Sequence, residues 1–266
     1  TSGFFRVALA EQSQVSQEFN LTRSSDRLDT ILGAFYYKET SDQLIQDYFA
    51  GGLFPGVPAQ HHLSSESLAA YGQANYHFDD RWTLVAGGRY NNDDKTFSGR
   101  KANALGAPQN FSKDRSFSRF SGKLGVELKA SDDLFTYLTF SQGYKSGTYD
   151  PFANANIIAN GIDEETVDSL ELGAKVELLD RSLRLNSALF LVRYSDLAIG
   201  TITSTGLELQ NAGESEIKGL ETELTWIATD RFRVYGSLAV IDSEWRSLAP
   251  SALATGVKLS DVPPLR

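Results

Sequence analysis

A few groups of residues in this sequence have the types and spacing that chemistry uses. His61 and His62 adjoin in a stretch that follows Pro55 and Pro58, where two imidazoles could touch a metal-bearing ligand. Successive side chains on an extended chain point apart, however, so the pair does not converge on one ion. Asp163, Glu164, Glu165 and Asp168, and likewise Asp93 and Asp94, gather carboxylates. A hard cation takes ~6–8 organised oxygens, and these runs read as hydrated strand entrances. Glu221 and Glu223 point the same way on one strand, as the two acids of a glycosidase do. Cross-strand partners such as Arg233 and Lys175 make structural pairing the better reading. Tyr144, Lys145 and Tyr149 put aromatic and cationic groups at a strand end, where they can stack on or pair with an anionic metal chelate. The candidate ligand contacts are therefore Tyr144, Lys145, Tyr149, His61 and His62.

Catalysis finds no footing. The phosphate-cradling, nucleophile-elbow and zincin motifs are all missing, so those chemistries lack their sequence context. The absence of Cys removes disulfides, thiolate metal sites and thiol nucleophiles. The chain is expected not to be an enzyme, with no catalytic, cofactor or metal residue. A formal charge of −9 opposes a nucleic-acid surface, which needs clustered Lys and Arg. No apolar run reaches the ~18 residues of a membrane helix. Contact with a membrane would require a closed β-barrel, the other structure that satisfies its backbone in lipid.

The elements that position these residues are strands. In ETVDSLELGAKVEL, Leu170, Leu172, Ala174, Val176 and Leu178 alternate with Glu171, Gly173, Lys175 and Glu177. After Leu179-Asp180-Arg181 the alternation resumes with Leu183, Leu185, Leu189 and Leu191. A period of two is the strand signature, and two such runs about a polar turn make a hairpin. The same unit recurs along the chain and predicts ten strands, while Phe4–Leu9 offers an eleventh. Short turns rich in Asp and Ser fall at 24–26, 79–80, 130–133, 179–181 and 229–231. Long loops fall at about 41–63, 96–116, 148–164 and 246–260, with a shorter tip near 200–205. Short turns at one end and long loops at the other match a transmembrane barrel better than a soluble sandwich.

The charges decide which face meets lipid. Lys123, Glu127, Glu171, Lys175, Glu177, Glu221 and Glu223 lie mid-strand. A Lys or Arg turned to hydrocarbon costs ~2–4 kcal/mol at the midplane, so this face belongs to a wet interior. The apolar set is then the outer band, with Phe78, Trp82, Tyr90, Tyr144, Trp226 and Phe232 as interfacial girdle candidates.

Several runs in this order and spacing resemble the barrel of TonB-dependent outer-membrane receptors. They are the E-T-x-x-S-x-E-L-G-x-K pattern at Glu165–Lys175, the S-x-G-Y-K-S-G strand end within Phe140–Gly147, and the N-A-G…G-x-E-x-E segment at Asn211–Glu223. VSQEFNLTR, SLAAYGQANYHFDDRWTLVAGGRYNNDDK and LFTYLTFSQGYKSGTYDP extend the likeness over nearly the whole chain. The resemblance implies an all-β, antiparallel transmembrane β-barrel of ~22 strands, of which residues 1–266 supply about ten or eleven. The plug domain, the TonB box and the terminal strands are expected to lie outside this sequence. It further implies import of a scarce nutrient, most often a ferric siderophore, in the cell outer membrane and in contact with its lipid. TonB and its partners ExbB and ExbD drive that transport in the family.

Haem, cobalamin and oligosaccharide importers share such a barrel, so the siderophore follows from the family's commonest role. The rival readings are a passive porin-like channel and a secreted β-rich binding protein whose apolar faces pack together. Recognition is expected on the long loops, since loops on a rigid scaffold carry it.

Overall fold

The computed structural model describes residues 4–49, 54–55, 59–101, 109–149, 161–203 and 206–249. They form one antiparallel sheet. Its strands are β1 (Phe4–Arg23), β2 (Leu28–Phe49), β3 (Phe54–Pro55), β4 (Ala59–His77), β5 (Trp82–Lys101) and β6 (Gln109–Lys129), then β7 (Leu134–Lys145), β8 (Glu165–Leu178), β9 (Leu183–Thr203), β10 (Gly206–Thr229) and β11 (Phe232–Leu248). Each long strand pairs with the next in sequence, β3 pairs only with the end of β2, and β1 and β11 are the two free edges. The sheet is the wall of a barrel and is not closed on itself.

The expected turns are present, and their chemistry explains them. Asp79 accepts hydrogen bonds from the backbone N–H of Arg81 at 2.8 Å and of Trp82 at 2.7 Å, an Asx-type turn made by the side chain. Leu179, Asp180 and Arg181 all adopt positive φ, at 52°, 53° and 65°, the left-handed region that tight hairpin turns use. Ser182 steadies that turn by donating from its hydroxyl to the Leu179 carbonyl at 2.6 Å.

Two sequence expectations change. Phe4–Leu9 is no separate strand but the upper end of β1, paired residue by residue with Leu44–Phe49. The regions 41–63 and 96–116 are largely strand: β2 runs on to Phe49, β4 starts at Ala59, β5 reaches Lys101 and β6 starts at Gln109. Polar and apolar residues mix on both faces at this height, with Ile45, Leu63, Phe97 and Phe111 on the face that is polar lower down, so the apolar alternation that reveals strands lower down is missing, while the backbone ladder continues. The tip near 200–205 is likewise mostly strand. Most of the expected loops 148–164 and 246–260 lies outside the described residues.

Register sorts the side chains. Leu28, Tyr76, Leu84, Val126, Leu138, Leu172, Leu189, Leu220 and Val240 stand opposite one another in a single row across successive strands. These side chains are not packed against a second layer: Leu172 is 51% exposed and Leu189 53%. From Leu68 to Phe78 this face runs for ten residue steps, which is ~33 Å of strand at ~3.3 Å per residue. Tilted by ~40°, that gives a band ~25 Å tall, the height of a barrel's lipid-facing belt. Phe78, Trp82, Trp226 and Phe232 mark its turn end and Tyr90 its other end. Above it a polar ladder begins: Gln142 donates to Asp168 at 3.0 Å, and Arg193 to Glu216 at 2.8 Å.

The opposite face holds the mid-strand charges. Tyr137 donates to Glu171 at 2.6 Å, and Arg184 to Glu177 at 2.9 Å. Glycine faces an aromatic ring across this face three times, as Gly33–Tyr71, Gly173–Tyr137 and Gly219–Phe190.

One pH effect follows from the turn at Asp79. Two backbone donors hold its carboxyl below the ordinary value of 3.8. The sign is that of a depressed carboxylate: the stabilisation is present above 3.8 and disappears as pH falls through the lower folded value. Asp79→Asn is therefore expected to be less stable than the unsubstituted protein at neutral pH and equal to it in strong acid, as read by denaturant midpoints at a series of pH values.

Candidate functional site

The polar face carries a site where β7 leaves β6. Their pairing ends at Lys123 opposite Ser141, although β6 continues upward to Gln109 and stays paired with β5 throughout. Beyond Ser141, β7 pairs only with β8. Side chains close the seam that the backbone leaves open. Arg115 donates to the Ile162 carbonyl at 3.2 Å and pairs with Asp163, and Arg119 pairs with Glu164 at 2.6 Å. Tyr144 donates its hydroxyl to Asp93.

Above the seam the chain crosses the polar face of β5 and β6. Thr148 and Ile162 bridge each other, and Tyr149 stacks on Phe97 at 5.4 Å. Phe97 also meets Phe111 at 5.0 Å and His61 at 5.4 Å. This aromatic cup is the best-buried part of the described structure, with Phe97 1%, Tyr149 3% and His61 4% exposed. Gly147 is where the crossing chain comes closest, since an added Cβ would meet the Ile162 carbonyl and the Phe117 ring. Gly147→Ala is expected to unseat residues 145–149. Overpacking costs ~1–3 kcal/mol, so amide exchange there should quicken by about 10-fold or more, with β4 and β5 unaffected; exchange read by mass spectrometry checks it.

Below the crossing lies a recess of about 770 Å³ lined by residues including Tyr71, Arg89, Asp93, Lys123, Tyr144 and Lys145. The Arg89 guanidinium sits 5.2 Å from the Phe35 ring centre and 5.3 Å from that of Tyr71. Its Nε donates to Asn91 at 2.7 Å. Lys145 pairs with Glu165 at 3.0 Å.

The structure thus brings four of the five sequence candidates to this face. Tyr144 and Lys145 line the recess, and Tyr149 and His61 meet in the cup above it. Tyr144 is not a girdle residue, because its hydroxyl turns to Asp93 where β7 parts from β6. His61 lies in a strand rather than a solvated loop. His62 points to the other face, with Nδ1 2.8 Å from Asp42, as strand alternation requires.

The acidic run 163–165 serves Arg115, Arg119 and Lys145 as ion-pair partner. Glu221 stands opposite Ala188 and Ala239, and Glu223 opposite Asn186 and Ser237. Arg233 lies down by the turn, opposite Ile227, so it is too far along the strand to pair with either. Lys175 shares a small cavity with both carboxylates while its ammonium lies over the Phe135 ring at 5.8 Å. Arg89, Phe97 and Phe111 escaped the sequence reading, and Lys123 entered it only as an interior-facing charge, although their shared parity with Asp93 was a signal that could have placed them at the site.

Comparison with known proteins agrees with this architecture. A family model described as "TonB dependent receptor-like, beta-barrel" matches residues 3–266. The chain is 25% identical over 199 residues to the pesticin receptor of Yersinia pestis, covering 75% of this chain and 29% of that protein. It is 28% identical over 221 residues to the probable TonB-dependent receptor BfrD of Bordetella pertussis, covering 79% and 29%. The chain thus spans about 29% of the length of these curated relatives.

Among solved structures, the ferric yersiniabactin uptake receptor FyuA of Yersinia pestis superposes with a TM-score of 0.81 at 22% identity, covering 91% of this chain and 37% of that one. The siderophore receptor PiuA of Acinetobacter baumannii gives 0.71 at 19%, covering 91% and 40%. With its alternating wall, its exposed apolar belt and a family match over nearly its full length, this chain belongs to the TonB-dependent receptor-like β-barrel family.

Proposed function

We propose that this chain is part of the wall of an outer-membrane receptor that imports a scarce nutrient, a ferric siderophore above other classes, driven by TonB with ExbB and ExbD. The apolar face contacts lipid and the polar face lines the lumen, with the recess and aromatic cup placed toward the outer mouth. The role is binding and passage, not catalysis. The observation that carries this reading is the two-sided wall: an unpartnered apolar belt of membrane height on one face, and a ligand-sized polar recess on the other. Relatives named for ferric yersiniabactin uptake and as siderophore receptors support the substrate class.

Uptake of radioactive iron as a ferric siderophore, in outer-membrane strains that express the full-length receptor with and without TonB, tests it. Uptake that vanishes without TonB is expected. Uptake indifferent to TonB would move the function to passive diffusion, the porin-like alternative.

A further inference from the structure

We infer that the apolar side of β7–β11 holds a site for one phospholipid whose headgroup carries both a phosphate and a primary ammonium, as phosphoethanolamine does. This rests on the reading of the apolar face as the lipid face and narrows that contact to one place and one headgroup.

Two rows of side chains make the place. Leu138, Leu172, Leu189, Leu220 and Val240 form the lower row, and Phe140, Leu170, Leu191, Lys218 and Asp242 the row above it. Barrel strands are tilted, so these rows are inclined to the belt. The lower one starts at Leu28, the first residue of β2, and meets β11 only at Val240, well past its start at Phe232. The border of the belt therefore cuts across the upper row, leaving leucines on β8 and β9 and charges on β10 and β11. Between the rows lies a shallow groove of about 670 Å³, lined by residues including Leu138, Leu170, Leu172 and Leu191, with Lys218 and Asp242 on its charged side. Its size is within the range of small-molecule sites, ~300–1,000 Å³.

The charges at this border are of both signs. Lys218 pairs with Asp242 at 3.2 Å. One row further up, Asp168, Arg193, Glu216 and Glu244 stand opposite one another on β8 to β11. Glu216 is buried and holds Arg193 at 2.8 Å and Arg246 at 3.5 Å, so it acts as an internal counter-ion. Facing outward are the side chains of Lys218, Arg193, Asp242 and Glu244, each more than half exposed.

A headgroup with only negative charge is repelled by these carboxylates as much as it is drawn to the cations. A zwitterion meets both: its phosphate accepts from Lys218 and Arg193, and its ammonium donates to Asp242 and Glu244, in charge-assisted hydrogen bonds. Opposed residues on neighbouring strands are ~4.5–5.5 Å apart, a spacing suited to two charges joined by an ethanolamine link. The acyl chain below the phosphate then lies along the leucines of the groove. A quaternary ammonium has the charge but no N–H to donate, so choline fits less well.

The test uses the full-length receptor, delipidated in detergent, and native mass spectrometry with phosphatidylethanolamine, phosphatidylglycerol and phosphatidylcholine of identical acyl chains. One phosphatidylethanolamine is expected to bind at least about 5-fold more tightly than either of the others. Lys218→Gln should weaken it by about 5-fold, and Asp242→Asn should bring phosphatidylglycerol level with it. Leu170→Trp, which fills the groove and leaves the charges in place, should also displace it. All three residues are exposed on this face, so the variants are expected to fold. Binding indifferent to headgroup, tighter binding of phosphatidylglycerol, or variants without effect would each overturn the inference. Oxygen access at Leu189 in a lipid-reconstituted receptor alongside such a result would leave the lipid face standing; nickel-chelate access there would remove that reading instead.

Discussion

Leu189→Arg is expected to destabilise the receptor in lipid by about 2–4 kcal/mol, and Ala188→Arg by less than about 1 kcal/mol, although the two positions are adjacent. Leu189 stands between Leu172 and Leu220 on the apolar face and is 53% exposed. An arginine there meets hydrocarbon midway along the belt with no carboxylate opposite it. Ala188 faces the other way, between Gly173 and Glu221, where a guanidinium reaches water and an anion. Denaturant unfolding of the full-length receptor in lipid vesicles measures both. Equal costs would mean that the faces are misassigned.

Gly173→Val is expected to cost about 2–4 kcal/mol, combining overpacking with a lost hydrogen bond. Gly173 lies opposite Tyr137, and an added Cβ would fall within the tyrosine ring. The ring must swing out, which breaks the 2.6 Å bond from its hydroxyl to Glu171. Laying an aromatic ring over a cross-strand glycine restores the packing that the glycine lacks. The test is a double-mutant cycle with Tyr137→Ala: removing the ring should make Gly173→Val nearly neutral, so the two substitutions couple strongly. Additive costs would show that the ring and the glycine do not depend on each other.

The lower half of this wall was legible because one apolar and one polar face impose a period of two on every strand. Leu170, Leu172 and Leu189 cannot share a face with Glu171 and Lys175, so the strands, their turns and their sidedness follow from types alone. The Asp-rich turns were legible for a local reason, since a short side chain such as that of Asp79 can close its own turn.

The upper half was not legible in this way. Along 41–49 and 59–63 polar and apolar residues mix on both faces, no alternation is imposed, and the ladder continues without a sequence signature. The site fared similarly. Tyr144, Lys145 and Tyr149 stood out by clustering in sequence, and the structure does gather the three about one seam. Their partners come from other strands: Asp93 to Tyr144, Phe97 to Tyr149 and Glu165 to Lys145. Only register brings these together, and the early end of the β6–β7 pairing is a tertiary event that no local pattern announces.

The account stands or falls on which face of the wall meets lipid. The full-length receptor, reconstituted in lipid vesicles, can be spin-labelled at single cysteines placed in turn along Leu183–Tyr194, with collision rates for oxygen and for a water-soluble nickel chelate measured at each. The account predicts two curves of period two, out of phase, with Leu185, Leu189 and Leu191 oxygen-rich and Arg184, Asn186 and Ala188 nickel-accessible. In-phase curves, or nickel access at Leu189 equal to that at Ala188, would contradict it.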